Sequence, residues 1–328
     1  MTVYSKKYLS TLALLVPALA VSLTLGLMGS HSASAKGHFN PASTAASLTW
    51  QNGSVTLPRT NIYALDSASN LYLLRPGSNS FSLQSRVRNV NGNLIGIDFR
   101  VADRQLYALS DTGNIYTINL SNFTATQVST LSPRFAGGVQ SLFDFNPVQN
   151  AVRIQGSNDQ NYAATNNAGN LNQTVVQTRL AYAAGDVNAG VDPNIAAGSY
   201  SNNFVGAATT LFYMIDYDLD TFVTIAQKNA TGSSNTGGGQ LQTVGGIFDN
   251  NNNGRRVDFS STADFDIYTD ANRVNTAIVL DGQRLYMIPI SQVNQNLPVG
   301  ASQNIGAFGI TLSSASPAPV FIDVAAAP

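Results

Sequence analysis

The chain has no cysteine and no glutamate, so each of its 18 acidic residues is an aspartate. Its 328 residues include only two histidines, one tryptophan and four lysines, against 13 arginines. Without cysteine there is no disulfide framework, no thiolate and no site for lipid attachment. Both histidines, His31 and His38, lie ahead of the patterned part of the chain. A Ser-His-Asp triad or an imidazole metal site therefore cannot form in the body. Acid–base chemistry with carboxylates would have to come from pairs of aspartates. What is abundant is Asn, Gly, Ser, Thr and β-branched residues, while polar helix formers are scarce, which is an all-β composition.

The N-terminus has a different character. Lys6 and Lys7 precede the apolar run YLSTLALLVPALAVSLTLGLMG, and Ala33-Ser34-Ala35 follows it. A basic head, an apolar body and a small-x-small site predict a signal peptide over residues 1–35, cleaved after Ala35. The expected location is extracytoplasmic, in the periplasm or secreted. The run is close to the ~20 residues that span a bilayer. An uncleaved anchor is thus the alternative, and only then is a membrane a partner. Cleavage leaves 15 basic against 18 acidic residues, a net charge near −3, which offers no electrostatic attraction for nucleic acid. Residues 36–56, rich in Ser, Ala and Asn, read as a flexible leader, and 57–328 as a single domain.

Within that domain a theme recurs. Ile62–Leu65, Leu71–Leu74, Phe81–Val87 and Leu94–Phe99 are four short apolar-alternating runs, and the next block, from Gln105 to Pro147, repeats them in order. Tyr63 and Tyr107 are 44 residues apart, as are Tyr72 and Tyr116; Asp98 and Asp144, each followed by Phe, are 46 apart. Four strands in about 40–45 residues predict one blade of a β-propeller, a unit that cannot bury its faces alone. Openings near 62, 106, 151, 210 and 276 favour five antiparallel four-stranded blades, with six as the alternative. The hairpins LYALSDTGNIYTINL and its repeats are expected to form the innermost part of each blade. The last runs, IGAFGITL and PVFIDVAA, are expected to complete the last blade or close the ring.

The ordered set GIDFR, LYALSDTGNIYTINL, FDFNP, YAAGDVNAGVDP and YSNNF resembles the bacterial family known as domain of unknown function 4394, over roughly residues 60–325. The resemblance implies a propeller-like fold in secreted or surface proteins. It brings no activity and no site residues. The third and fifth units, AVRIQGS and TAIVLDG, lack the tyrosine of the others.

Calcium is the one metal suited to a body whose ligands are oxygens of Asp, Asn and the main chain. Three stretches qualify: Asp249, Asn251 and Asn253 in DNNNNG; Asp186, Asn188 and Asp192 in GDVNAGVDP; and Asp216, Asp218 and Asp220 in DYDLD. The first opens like an EF-hand loop, but its twelfth position is Ser260 rather than a bidentate Glu. All three are also ordinary turn sequences. Tyr63, Tyr72, Tyr107, Tyr116 and Tyr213 are expected to pack between blades rather than line a sugar site. Arg86, Arg88, Arg100, Arg104 and Arg153 are expected to bond turn carbonyls and aspartates rather than form an anion-binding rim.

The function these features favour is a secreted, non-catalytic propeller, a binding, adhesion or envelope module for an extracellular or envelope ligand, without catalytic residues or an obligate cofactor. The alternative is an extracytoplasmic hydrolase or lyase with an aspartate-lined, calcium-assisted site at the channel. The first predicts aspartates scattered among turns. The second predicts several of them converging on the axis.

Overall fold

The computed structural model describes residues 47–50, 53–56, 58–165, 171–294, 296–298, 301–313 and 317–328. The signal segment 1–35 lies outside the described residues. Part of the expected leader is a hairpin, β1 (Ser47–Trp50) with β2 (Gly53–Thr56). The next strands are β3 (Ile62–Asp66), β4 (Asn70–Leu74) and β5 (Ser82–Arg86), then β6 (Leu94–Arg100), β7 (Gln105–Ser110), β8 (Asn114–Asn119) and β9 (Thr124–Thr130). After them come β10 (Ser141–Asn146), β11 (Ala151–Gly156), β12 (Asn161–Thr165), β13 (Gln173–Val176) and the short β14 (Ala181–Tyr182). The second half contains β15 (Ile195–Tyr200), β16 (Phe212–Asp216), β17 (Thr221–Ile225), β18 (Gln240–Asp249) and β19 (Arg255–Arg256). It ends with β20 (Asp264–Thr269), β21 (Asn275–Asp281), β22 (Arg284–Pro289), β23 (Ile305–Thr311) and β24 (Phe321–Ala326). No helix among the described residues is long and apolar enough to cross a membrane.

These strands make five antiparallel four-stranded blades. In order they are β24-β3-β4-β5, β6–β9, β10–β13, β15–β18 and β20–β23. The first strand of each blade, β24, β6, β10, β15 and β20, touches the first strand of the next, and the ring closes from β20 back to β24. The C-terminal strand therefore forms the inner edge of blade 1, with Ala326 opposite Ile62 and Phe321 opposite Asp66. Here the expectation is corrected. The repeated LYAL-type hairpin is the middle of each blade, and the innermost strand is the Asp-containing run that precedes it. The sequence period is right but its phase is shifted by one strand, because the chain enters the ring at a second strand and supplies the missing first strand last.

Turn chemistry repeats with the blades. Asp66 Oδ1 accepts the backbone N–H of Ala68 and Asn70, both at 2.9 Å. Asp216 does the same for Asp218 and Leu219, and Asn146 for Val148 and Gln149. A short side-chain acceptor at the end of a strand stands in for the missing ladder and reverses the chain.

Each blade is apolar on both faces, so every joint between blades holds its own core. Tyr63, Leu73, Phe99 and Ile118 pack between blades 1 and 2, and Tyr107, Phe143, Phe145 and Ile154 between blades 2 and 3. Leu142, Phe212 and Met214 fill the third joint, Phe222, Phe265 and Val279 the fourth, and Ile62, Leu280 and Val324 the last. The tyrosines pack between blades, as their repetition predicts: Tyr63 lies 5.6 Å from Phe99, and Tyr107 lies 4.9 Å from Phe145. Where blade 3 lacks the tyrosine, Arg153 takes its place opposite Asp144.

Blades 4 and 5 are further fused at their rim. β18 leaves β17 after Gly246 and pairs in parallel with β23 from Ile247 to Asp249. A bulge skips Val244 just before this exchange. Gly245 there has φ +153, and a Cβ would collide with the Gln303 carbonyl. Only glycine lets the two segments approach so closely.

Candidate functional site

An inner strand has no ladder partner on its axial side, so its N–H groups must find other acceptors. The aspartates supply them in a continuous ring. Asp323 Oδ2 accepts Ile97 N–H of blade 2 at 2.8 Å. Asp98 Oδ2 accepts Phe145 N–H of blade 3 at 2.7 Å, and Asp144 Oδ1 accepts Tyr200 N–H of blade 4 at 2.9 Å. The Ser199 hydroxyl accepts Ile267 N–H of blade 5 at 3.1 Å and donates to Asp266 Oδ1 at 2.9 Å. Asp266 and Asp264 return the ring to blade 1 by accepting Ala326 N–H at 2.7 Å and Val324 N–H at 3.1 Å. Neighbouring residues point to opposite faces of a strand. Thus Asp98 reaches forward to blade 3 while Phe99 packs back on Tyr63 of blade 1, and Asp144 and Phe145 repeat the arrangement one blade on.

Two levels result. Asp98, Asp144 and Asp266 each offer an oxygen within 4.8 Å of the others. At the second level Asp264 neighbours Asp323 and, beyond the effect of burial, raises its pKa by repulsion. Gly96 leaves room for this pair: a Cβ there would lie 2.6 Å from Phe143 Cβ and 3.1 Å from Asp323 Oδ2. All five aspartates are buried, none more than 4% exposed. No ion pair among the described residues includes any of them. Burial raises the pKa of each. Repulsion from Asp144 and Asp266 adds to it at Asp98, from Asp266 at Asp144, and from Asp264 at Asp323. Asp264 is pushed up to about 7, chiefly by burial.

The expected scattering of aspartates among turns is therefore wrong for these five. The repeats put a carboxylate at the same level of successive inner strands, and closing the ring brings those levels together. The Asp98–Phe99 and Asp144–Phe145 spacing was the visible signal. Asp266, Asp323 and Ser199 were missed as members of the ring.

Of the residues expected as calcium ligands, Asp186, Asn188, Asp249 and Asn251 have partners within the fold. Asp249 caps a 3-10 turn through Asn251 N–H at 3.0 Å, pairs with Arg284 at 2.6 Å and accepts Gly309 N–H at 3.1 Å. The Asn251 amide donates to the Gly309 carbonyl, and Asn253 takes a left-handed turn conformation. Asp186 accepts Thr243 N–H at 2.8 Å, the Thr243 hydroxyl at 2.7 Å and Asn188 N–H at 2.9 Å. The Asn188 amide donates to the Thr243 hydroxyl, and Asp192 is exposed. Asp186 is thus the clip that fastens the 185–193 loop to β18. Asp186→Ala leaves the buried Thr243 N–H without its acceptor, at a cost of about 1–3 kcal/mol. The expected result is a lower denaturant midpoint with faster proteolysis within 185–193. An unchanged midpoint would show the clip to be dispensable.

Of the arginines, Arg88 bonds the Asn122 carbonyl at 2.6 Å, and Arg100 contacts Asp103, Tyr107 and Asn150. The buried Arg153 bonds Tyr200, Asn161, Tyr162, Gln177 and Thr236.

The clip and the β18 exchange border a surface groove of about 410 Å³. Its lining includes Asn188, Thr243, Phe248, Arg256, Gln303 and Asn304. The Arg256 guanidinium donates to the Leu219 carbonyl at 2.7 Å and sits beside Phe248, both over Gly246. None of the ion pairs among the described residues includes Arg256.

Five blades, a strand exchanged between the chain ends and a carboxylate-latched axis define this protein as a five-bladed β-propeller. The profile of the family described as "Domain of unknown function (DUF4394)" matches residues 77–315, and the chain belongs to that family. Among solved structures, it is similar to the β-propeller domain of Cps50 (Swd1) from Myceliophteria thermophila, at 8% identity and a TM-score of 0.40, over 77% of this chain and 72% of that one. A protein of unknown function from Bacteroides thetaiotaomicron matches at 13% identity and a TM-score of 0.36, over 72% of this chain and 54% of that one. Comparison with curated proteins gives no match.

Proposed function

We propose that the protein is an extracytoplasmic, non-catalytic binding module whose ligand, a saccharide with an acidic group, lies in the groove across the rim of blades 4 and 5. The observation that carries this reading is the make-up of the groove. Amides and hydroxyls of Asn188, Ser302, Gln303 and Asn304 suit the paired donors and acceptors of sugar hydroxyls. Phe248 is partly exposed and offers an apolar face for a sugar ring. Arg256 matches a carboxylate or sulfate. The signal-peptide pattern of residues 1–35 supports the location.

A second reading, hydrolysis by aspartates at the axis, is favoured by the convergence of Asp98, Asp144 and Asp266. It is the weaker one, because each of those carboxylates is buried and holds a neighbouring blade.

The test is binding of the mature chain to an array of neutral, uronate-containing and sulfated glycans, repeated with Arg256→Ala and Asn304→Ala. Acidic glycans are expected to bind, and Arg256→Ala to weaken binding about tenfold, the loss of one charge-assisted contact. The melting temperature should hardly move, as for most surface changes. Binding indifferent to both substitutions would exclude the groove. Glycan cleavage that vanishes in Asp144→Asn but survives Arg256→Ala would move the function to the axis.

A further inference from the structure

We propose that the axial carboxylates form a proton-loaded clasp, which binds the five blades tightly in acid and loosens the ring as the medium turns alkaline. The argument is one of charge and place. Five carboxylates sit on the inner strands of four blades, all buried, all accepting N–H groups from the following blade. Five buried negative charges without a counter-charge cannot coexist in a low dielectric, and carboxyl groups in contact resolve this by sharing protons.

Every surrounding cation is engaged elsewhere. Arg100, two residues along β6 from Asp98, contacts Asp103, Tyr107 and Asn150. Arg153 of β11, opposite Asp144, contacts Tyr200, Asn161, Tyr162, Gln177 and Thr236. The tyrosines on these and the neighbouring strands are Tyr63 of β3, Tyr107 of β7, Tyr200 of β15, Tyr213 of β16 and Tyr268 of β20, and Asp281 at the end of β21 accepts the Ser260 N–H and hydroxyl. Asp66 of β3 and Asp216 of β16 close turns at the far ends of their strands. Leu280 and Ile278 of β21 face Asp264 and Asp266, and Leu65 of β3 faces Asp323. At the second level Asp264 and Asp323 both have raised pKa values, chiefly through burial, and at Asp323 repulsion from Asp264 adds to it.

The sign follows from linkage. The carboxyls hold protons more tightly folded than unfolded, so their contribution is complete below the unfolded value near ~4 and is lost as pH rises through the folded values. For Asp264 the loss runs from there up to about 7. Its partner Asp323 and the Asp98–Asp144–Asp266 group, all raised, extend the loss upward.

The experiment is a thermal melt of the mature chain from pH 5 to pH 8.5 in chelator, with Asp264→Asn, Asp323→Asn and the exposed control Asp258→Asn. The wild type is expected to lose on the order of 5 °C or more across the range, the shift a few kcal/mol produces in a chain this size. Asparagine keeps an oxygen for the N–H and carries no charge. Asp264→Asn or Asp323→Asn should flatten the slope, while Asp258→Asn should retain it. The infrared carboxylic-acid band of the folded wild type at pH 6 checks the same point without mutation, and it should persist there and fade on raising the pH. A flat wild-type profile, an unchanged slope in both axial variants, or no such band would overturn the clasp. So would stabilisation by millimolar calcium at pH 8.5 that Asp144→Asn abolishes, since the axis would then hold a cation in place of protons.

Discussion

Ending the chain at Pro319 is expected to abolish cooperative folding. Only nine residues are lost, yet they include β24, the inner strand of blade 1. Phe321, Ile322, Val324, Ala325 and Ala326 are all at most 3% exposed. Burying three large apolar side chains contributes roughly 5–9 kcal/mol, at about 1.5–3 kcal/mol each. That is comparable to the whole stability of a typical domain, about 5–15 kcal/mol. The truncation also removes Asp323, the acceptor for Ile97, and takes from Asp264 and Asp266 the N–H groups they hold. β3 would be left as an open edge, which favours association between chains. Circular dichroism melts and gel filtration are the measurements, and the expected products are a broad transition and aggregates. A truncated chain that melts sharply within a few degrees of the full one would show that the ring does not depend on its closing strand.

Phe145→Ala is expected to be the most damaging single substitution at a joint between blades. Phe145 is 1% exposed, lies 4.9 Å from Tyr107 and 5.9 Å from Phe143, and fills the space between blades 2 and 3. Truncating a buried phenylalanine costs about 3–5 kcal/mol, because both the transferred surface and the cavity left behind count against folding. The backbone N–H that Asp98 accepts is untouched, so the cost is one of packing. A fall in melting temperature on the order of 10 °C is expected. Phe145→Leu should recover much of it, since it restores most of the volume. A loss of only a degree or two would mean that the blades meet less tightly than their geometry indicates.

These two expectations rest on different kinds of information. Phe145 could be picked out beforehand, because Asp-Phe recurs at 98–99 and 144–145 and repeats reuse their core residues. The importance of the last nine residues was visible only in part. The run PVFIDVAA reads as a strand that completes a blade or closes the ring, but its Asp is bonded to a residue 226 positions away. No local pattern encodes a pairing of that span. The same limit explains the misplaced hairpin. LYAL-TGNIY is the most regular piece of each unit and was assigned to the centre, whereas the centre is the less regular strand before it. The tyrosines packed as expected because inter-blade burial acts on every copy alike. The Asp186 and Asp249 stretches have the composition of a calcium loop, and only the fold shows that Thr243 and Arg284 are their neighbours and bond to them.

Composition and period were enough to determine that this chain makes repeated β-blades, with five favoured over six, and that its polar chemistry would rest on aspartate. Those properties belong to single strands and turns and are repeated in each unit. Which aspartates meet was decided by the closed ring. Circular closure sets the level of each inner strand against the next and removes water from the space between them. The Arg256–Phe248 pair at the rim is by contrast local, made by the hairpin of β18 with β19.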